Sequence, residues 1–71
     1  MHPVVKQVVD EHGPATFLLA YRLVTAHSEG DVTIRQIAEL TGLSVKTTYD
    51  LTAVLYAIRG LGSESSEPQT Y

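Results

Sequence analysis

The sequence predicts a small all-α domain of four helices, and three observations carry that prediction. Apolar residues recur at three- and four-residue spacings along most of the chain. Proline, glycine and hydroxyl-bearing residues punctuate these stretches where helices start and stop. The last two predicted helices are joined by a link of only a few residues, "TGLS" at 41–44.

The first helix is expected near residues 3 to 12. Val4, Val5, Val8 and Val9 recur at i, i+1, i+4 and i+5, which is a helical stripe, and Pro3 suits a first helical position. Four β-branched valines also fit a short strand by propensity, so that alternative stays open at this point. "HGP" at 12–14 supplies a stop. A second helix follows at 15 to 28, with Phe17, Leu18, Leu19, Ala20, Tyr21, Leu23 and Val24 covering almost its whole circumference. A helix apolar all round is buried on several sides, so it is either the central helix or partly turned to another subunit.

"SEGD" at 28–31 is a loop, and the third helix, at 34 to 41, has a well-specified start. Thr33 and Gln36 form a capping box, and Val32 and Ile37 occupy the two positions of a hydrophobic staple. Ile34, Ile37, Ala38 and Thr41 share a face, and Gly42 stands where a left-handed residue ends the helix. Ser44 caps a fourth helix, at 44 to 60, whose inward stripe is expected to be Thr47, Leu51, Val54, Leu55 and Ile58, with Gly60 and Gly62 as stops. One domain, residues 1–61, is therefore expected, followed by a disordered acidic tail at 62–71 that has no periodicity.

At 71 residues the chain buries only about 60% of its unfolded surface, and its core is thin. With no Cys, it has neither disulfides nor thiolate metal ligands, which favours oligomerisation as reinforcement and an intracellular address. No apolar run approaches the roughly 18 residues of a membrane span, and "MHPVVKQVVDEHGP" lacks the basic region followed by a long apolar stretch that a signal peptide needs. A soluble, cytoplasmic protein without a membrane partner is the expectation. The net charge of −3 is unevenly placed. From Thr33 to Arg59, Arg35, Lys46 and Arg59 outweigh Glu39 and Asp50, whereas the acidic excess lies elsewhere. An acidic total bears on solubility and steering rather than on fold, so it does not exclude an anionic partner.

A short helix, a tight turn and a longer helix form the unit that places its second helix in the DNA major groove. In "IRQIAELTGLSVKTTY", residues 34 to 49, Ala38 is small where the helices cross, Gly42 permits the turn, Leu43 folds inward and Ser44 starts the second helix. This segment resembles the helix-turn-helix of bacterial and archaeal transcription regulators, especially the winged-helix groups of the MarR and IclR kind. With the helix at 15 to 28, the likeness extends over a tri-helical core. Thr48 departs from the Val or Ile usual there, and residues 61 to 71 cannot supply the two strands and basic loop of a wing. The resemblance implies a wingless, dimeric, repressor-like regulator that binds double-stranded DNA.

Ser44, Val45, Lys46, Thr47 and Tyr49 are the residues of the fourth helix able to reach DNA. Lys46 offers donors to phosphate or guanine, Ser44 and Thr47 bond phosphate or base, Val45 meets a thymine methyl, and Tyr49 reaches phosphate through its hydroxyl. Arg35, with Thr33 beside it, stands where such helices approach the backbone. Asp50 has three readings: an acceptor for a cytosine amino group, an i,i+4 partner for Lys46, or a sign that this face avoids DNA. Arg59 offsets the helix C-terminal dipole. A homodimer interface is expected at Phe17, Leu18, Tyr21 and Tyr56, with Arg22 at its rim or paired with an acid. The competing reading is a protein-binding module that uses a face of Tyr49, Ala53 and Tyr56.

His2, His12 and His27 lack metal-ligand spacing and read as surface histidines. There is no glycine-rich phosphate loop, nucleophile elbow or triad, so neither an enzyme, a cofactor, a metal nor a small-molecule substrate is expected.

Overall fold

In the computed structural model, which describes residues 2–60, the valine stripe forms a helix, α1 (Pro3–His12). Val4, Val5 and Val8 are buried together and Val9 packs beside them. A strand would have sent Val4 and Val8 to one face and Val5 and Val9 to the other, requiring cover on both sides. Pro3 occupies the first turn, and His2 caps it: its Nδ1 accepts from the Val4 N–H at 3.3 Å. On the outer side Lys6 and Asp10 pair at 2.6 Å. Gly13, at φ 90°, turns the chain straight into α2 (Pro14–Ser28), which starts one residue earlier than expected because Pro14 itself serves as a first helical residue.

The remaining helices are α3 (Ile34–Thr41) and α4 (Val45–Arg59), and no strand occurs among the described residues. The expected acidic tail and the Gly62 stop lie outside the described residues. α2 and α4 each pack against all three other helices, while α1 and α3 do not meet. The radius of gyration, 10.8 Å, suits a packed chain of this size, for which about 10 to 11 Å is expected. No helix among the described residues is long and apolar enough to cross a membrane.

The core joins Val4, Val5 and Val8 of α1, Ala20 and Val24 of α2, Ile37 of α3, Leu43, and Leu51, Leu55 and Tyr56 of α4. Fully burying an aliphatic side chain of this kind contributes about 1.5–3 kcal/mol. The inward stripe of α4 differs from the expected one. Thr48, Leu51, Thr52, Leu55 and Tyr56 are buried, Thr47 and Val54 are half-buried, and Ile58 is 67% exposed. Hydropathy misplaced the stripe because the Thr48 hydroxyl donates to the Ser44 carbonyl (2.8 Å) and that of Thr52 to the Thr48 carbonyl (2.7 Å). With their polar groups satisfied inside the helix, both threonines pack as β-branched apolar residues.

A polar clasp ties the far ends of α2 and α4. The Tyr56 hydroxyl and His27 Nδ1 share a hydrogen bond at 2.5 Å, both groups buried. Arg59 donates to the Thr25 hydroxyl and lies over the Tyr21 ring, 4.2 Å from its centroid. Two expectations are corrected here. His27 is a core residue, not a surface one, because it continues the inward spacing of Ala20 and Val24. Tyr56 is 7% exposed and so is unavailable to a second subunit.

Burial raises the Tyr56 pKa above its ordinary value of 10.0. Above pH 10 the unfolded chain therefore gives up this proton first, so its contribution to stability is complete below that pH and is lost as pH rises further. Urea denaturation should show wild-type stability falling more steeply above pH 10 than that of Tyr56→Phe, which should itself lose about 1 kcal/mol near neutrality. Parallel pH profiles would contradict this account.

Candidate nucleic-acid interface

The segment that presents the candidate site is built by satisfying helix ends in very few residues. At the start of α3 the Thr33 hydroxyl accepts from the Gln36 N–H (3.1 Å), and the Gln36 side-chain carbonyl accepts from the Thr33 N–H (2.8 Å). Val32 packs on the core beside this box, as the staple requires. At the other end Gly42 is left-handed, φ 78°, and its N–H returns to the Ala38 carbonyl at 2.9 Å. The Thr41 hydroxyl donates to the Ile37 carbonyl (2.7 Å) and accepts from the Leu43 N–H (3.3 Å), closing the turn from inside. Leu43 is buried and anchors the link in the core.

Ser44 then caps α4: its hydroxyl accepts from the Thr47 N–H at 3.1 Å, and its carbonyl accepts from the Thr48 N–H at 2.9 Å. In an α-helix the first N–H groups have no intrahelical acceptor, and at this helix start those are the N–H groups of Val45 and Lys46. They add to the positive end of the helix dipole at this position.

The side chains around them are sorted by the phase of α4. Ser44 and Lys46 are exposed, and Val45 is 47% exposed. Thr47, Tyr49 and Asp50 are half-buried at the flanks. Lys46 Nζ meets Asp50 Oδ2 at 3.1 Å, with 87% and 47% of the two side chains exposed, so the i,i+4 pair foreseen for Asp50 forms. Such a solvated pair contributes little to stability, about 0.3–0.5 kcal/mol, and leaves the outer stripe of α4 near neutrality.

Arg35 is exposed on the first turn of α3, while the Thr33 hydroxyl is engaged as a cap and half-buried. The axial rise of α3, about 10 Å, separates these two from the turn at Gly42. Leu40, 62% exposed, adds an apolar patch close to the turn. It was not among the expected site residues, although helical spacing leaves it outside the inward face of Ile34, Ile37, Ala38 and Thr41.

On the face expected to meet a second subunit, Leu18 is 60% exposed, Tyr21 is 37% exposed, and Phe17 is half-buried against the core. The Phe17 and Tyr21 rings lie 6.2 Å apart in a tilted arrangement. The rival protein-binding face of Tyr49, Ala53 and Tyr56 is not presented as a unit, since Tyr56 is turned inward to His27. Arg22 is exposed, and Arg59 serves the α2–α4 clasp besides standing in the last turn of α4. Among the described residues no group of three or more His, Asp or Glu side chains is arranged to hold a metal ion.

Replacing Gly42 tests the turn on its own. An added Cβ would meet nothing within 4 Å, so any loss is conformational. Gly42→Ala should cost about 1 kcal/mol, and Gly42→Asn less, in urea denaturation. An alanine variant as stable as wild type would show that the left-handed cap is dispensable.

No protein-family model, curated protein or solved structure gives a significant match to this chain.

Proposed function

We propose that this protein binds double-stranded DNA sequence-specifically as a small homodimer, using α3 and α4 as a helix-turn-helix, and that it acts as a repressor-like regulator of transcription. The observation that carries this reading is the first turn of α4. It is capped by Ser44, held to the core through Leu43, and carries the exposed Lys46 and the half-exposed Val45 at a helix start whose first N–H groups have no intrahelical acceptor. Donors at a helix start, beside a cation and an apolar methyl surface, match what a major groove and its flanking phosphates offer.

In this reading α4 enters the major groove by its N-terminal turns. Ser44 and Lys46 donate to phosphate or base edges, Val45 meets a thymine methyl, and Tyr49 and Thr47 approach from the flanks. Arg35 approaches the backbone from α3, and Thr33 serves mainly by fixing the start of that helix. A second copy, joined through Leu18, Tyr21 and the edge of Phe17, places two α4 helices in half-sites about one DNA turn apart. Few basic residues face the duplex, so the salt dependence is shallow.

The protein-binding alternative draws on a different observation, the exposed Leu40 and Val45 beside a self-neutralised Lys46–Asp50 pair. Selection from a random duplex library followed by fluorescence anisotropy separates the two readings. Wild type should select a site. Arg35→Ala should lower the slope of log K against log salt by about one, and Lys46→Ala should weaken the selected site about tenfold. Absence of any duplex binding at low salt would remove the DNA reading and leave the protein-binding one.

The dimer has a separate test. Sedimentation at micromolar concentration should give a dimer for wild type and a folded monomer for Leu18→Glu, whose substituted side chain lies on the surface. A wild-type monomer under those conditions would overturn the dimer.

A further inference from the structure

Asp50 stands on the outer side of α4 one turn beyond Lys46, with its carboxylate 3.1 Å from the lysine ammonium and nearly half of its side chain exposed. Its energetic value to the fold is small, as for any solvated pair. A carboxylate in this place also opposes phosphate binding, because the duplex surrounds it with like charge. If α4 lies in a major groove, the carboxylate has one kind of favourable partner there, a base-edge donor, and only the cytosine N4 and adenine N6 amino groups supply one.

These two donors are not equivalent for a side chain coupled to a cation. In an adenine–thymine pair the amino group lies between two acceptors, adenine N7 and thymine O4, so a carboxylate approaching it also faces their lone pairs. In a cytosine–guanine pair the donor stands at one end of the edge, followed by two adjacent acceptors, guanine O6 and N7. That order of one donor and then two acceptors is complementary to an anion and a cation side by side.

Resting on the proposed DNA reading, we infer that Lys46 and Asp50 act as one unit that reads a single cytosine–guanine pair in each half-site, Asp50 accepting from cytosine N4 and Lys46 donating to guanine O6 and N7. The carboxylate becomes a specificity-determining group. The pair already formed in the free protein holds both side chains over the same outward patch, so neither has to be drawn from another part of the surface.

The test is selection of duplexes from a random library by the full chain, then anisotropy on the selected site with each base pair replaced in turn, for wild type, Asp50→Ala and Asp50→Asn. Circular dichroism melts check that both variants fold. Wild type should show one cytosine–guanine pair per half-site whose replacement by thymine–adenine costs about tenfold. Asp50→Ala should lose that discrimination while binding most sequences as well or better, and Asp50→Asn should move the preference toward adenine, which an amide reads through N6 and N7.

If Asp50→Ala binds every duplex more tightly with the same base preferences, Asp50 only shields Lys46 and the inference is overturned, while DNA binding stands. Should wild type select a site with no cytosine–guanine requirement, the inference also falls. If wild type binds no duplex at all, the DNA reading fails and takes the inference with it.

Discussion

The hydrogen bond between His27 and Tyr56 fixes how α4 sits along α2, and the presentation of the α4 start depends on that placement. The chain has no covalent staple. Two helices packed through aliphatic groups alone can shift against each other in modest steps, whereas a buried polar pair has one satisfied register. Displacing it leaves polar groups unpaired in apolar surroundings, at about 1–3 kcal/mol for each group. Arg59 reinforces the same register by bonding Thr25 and covering Tyr21. About 15 Å of helix separates Tyr56 from Lys46, so a clasp at one end of α4 sets the height of the side chains at the other.

The two ends of α4 are secured by different chemistry. At the far end, aromatic and cationic groups tie it to α2; at the near end, helix-end satisfaction ties it to α3 through Gly42, Leu43 and Ser44. Between them the buried stripe of Thr48, Leu51, Thr52 and Leu55 supplies volume without leaving a buried polar side-chain atom unpartnered. The overall charge of −3 places no acid in this buried stripe, and the acid of the α4 outer face, Asp50, is held by Lys46. Under the proposed function the opposition between an acidic chain and an anionic partner becomes a local matter, decided by what Asp50 does when a duplex arrives.

Much of the fold was legible because helix ends speak through single residues. Pro3, Thr33 with Gln36, Gly42 and Ser44 each announce a boundary by a requirement that few other residues meet, and the helices begin and end at or within a residue of the places these imply. The phase of α4 was harder to read. Valine and isoleucine at 54 and 58 outrank threonine on hydropathy, yet Thr48, Leu51, Thr52 and Leu55 carry the i, i+3, i+4, i+7 spacing, and the threonine hydroxyls find acceptors within their own helix. The clasp was less accessible still, since its partners stand far apart in sequence. One sign was present: His27 falls on the stripe of Ala20 and Val24, where a histidine needs a buried partner. Of the candidate site, the cap, the turn and the Lys46–Asp50 pair were readable from spacing, while the closing role of the Thr41 hydroxyl and the loss of Tyr56 to the interior required three dimensions.

The separation of the two sides of α4 has a consequence for the history of such a chain. The residues that hold α4 in place point inward, and Lys46 and Asp50 stand on the opposite side of the helix, with 87% and 47% of their side chains exposed. Surface exchanges away from core contacts are usually within about 0.5 kcal/mol of neutral. A lineage built on this chain can therefore replace its outward residues with each intermediate remaining folded. The outer face of α4 is free to diverge faster than the domain that carries it.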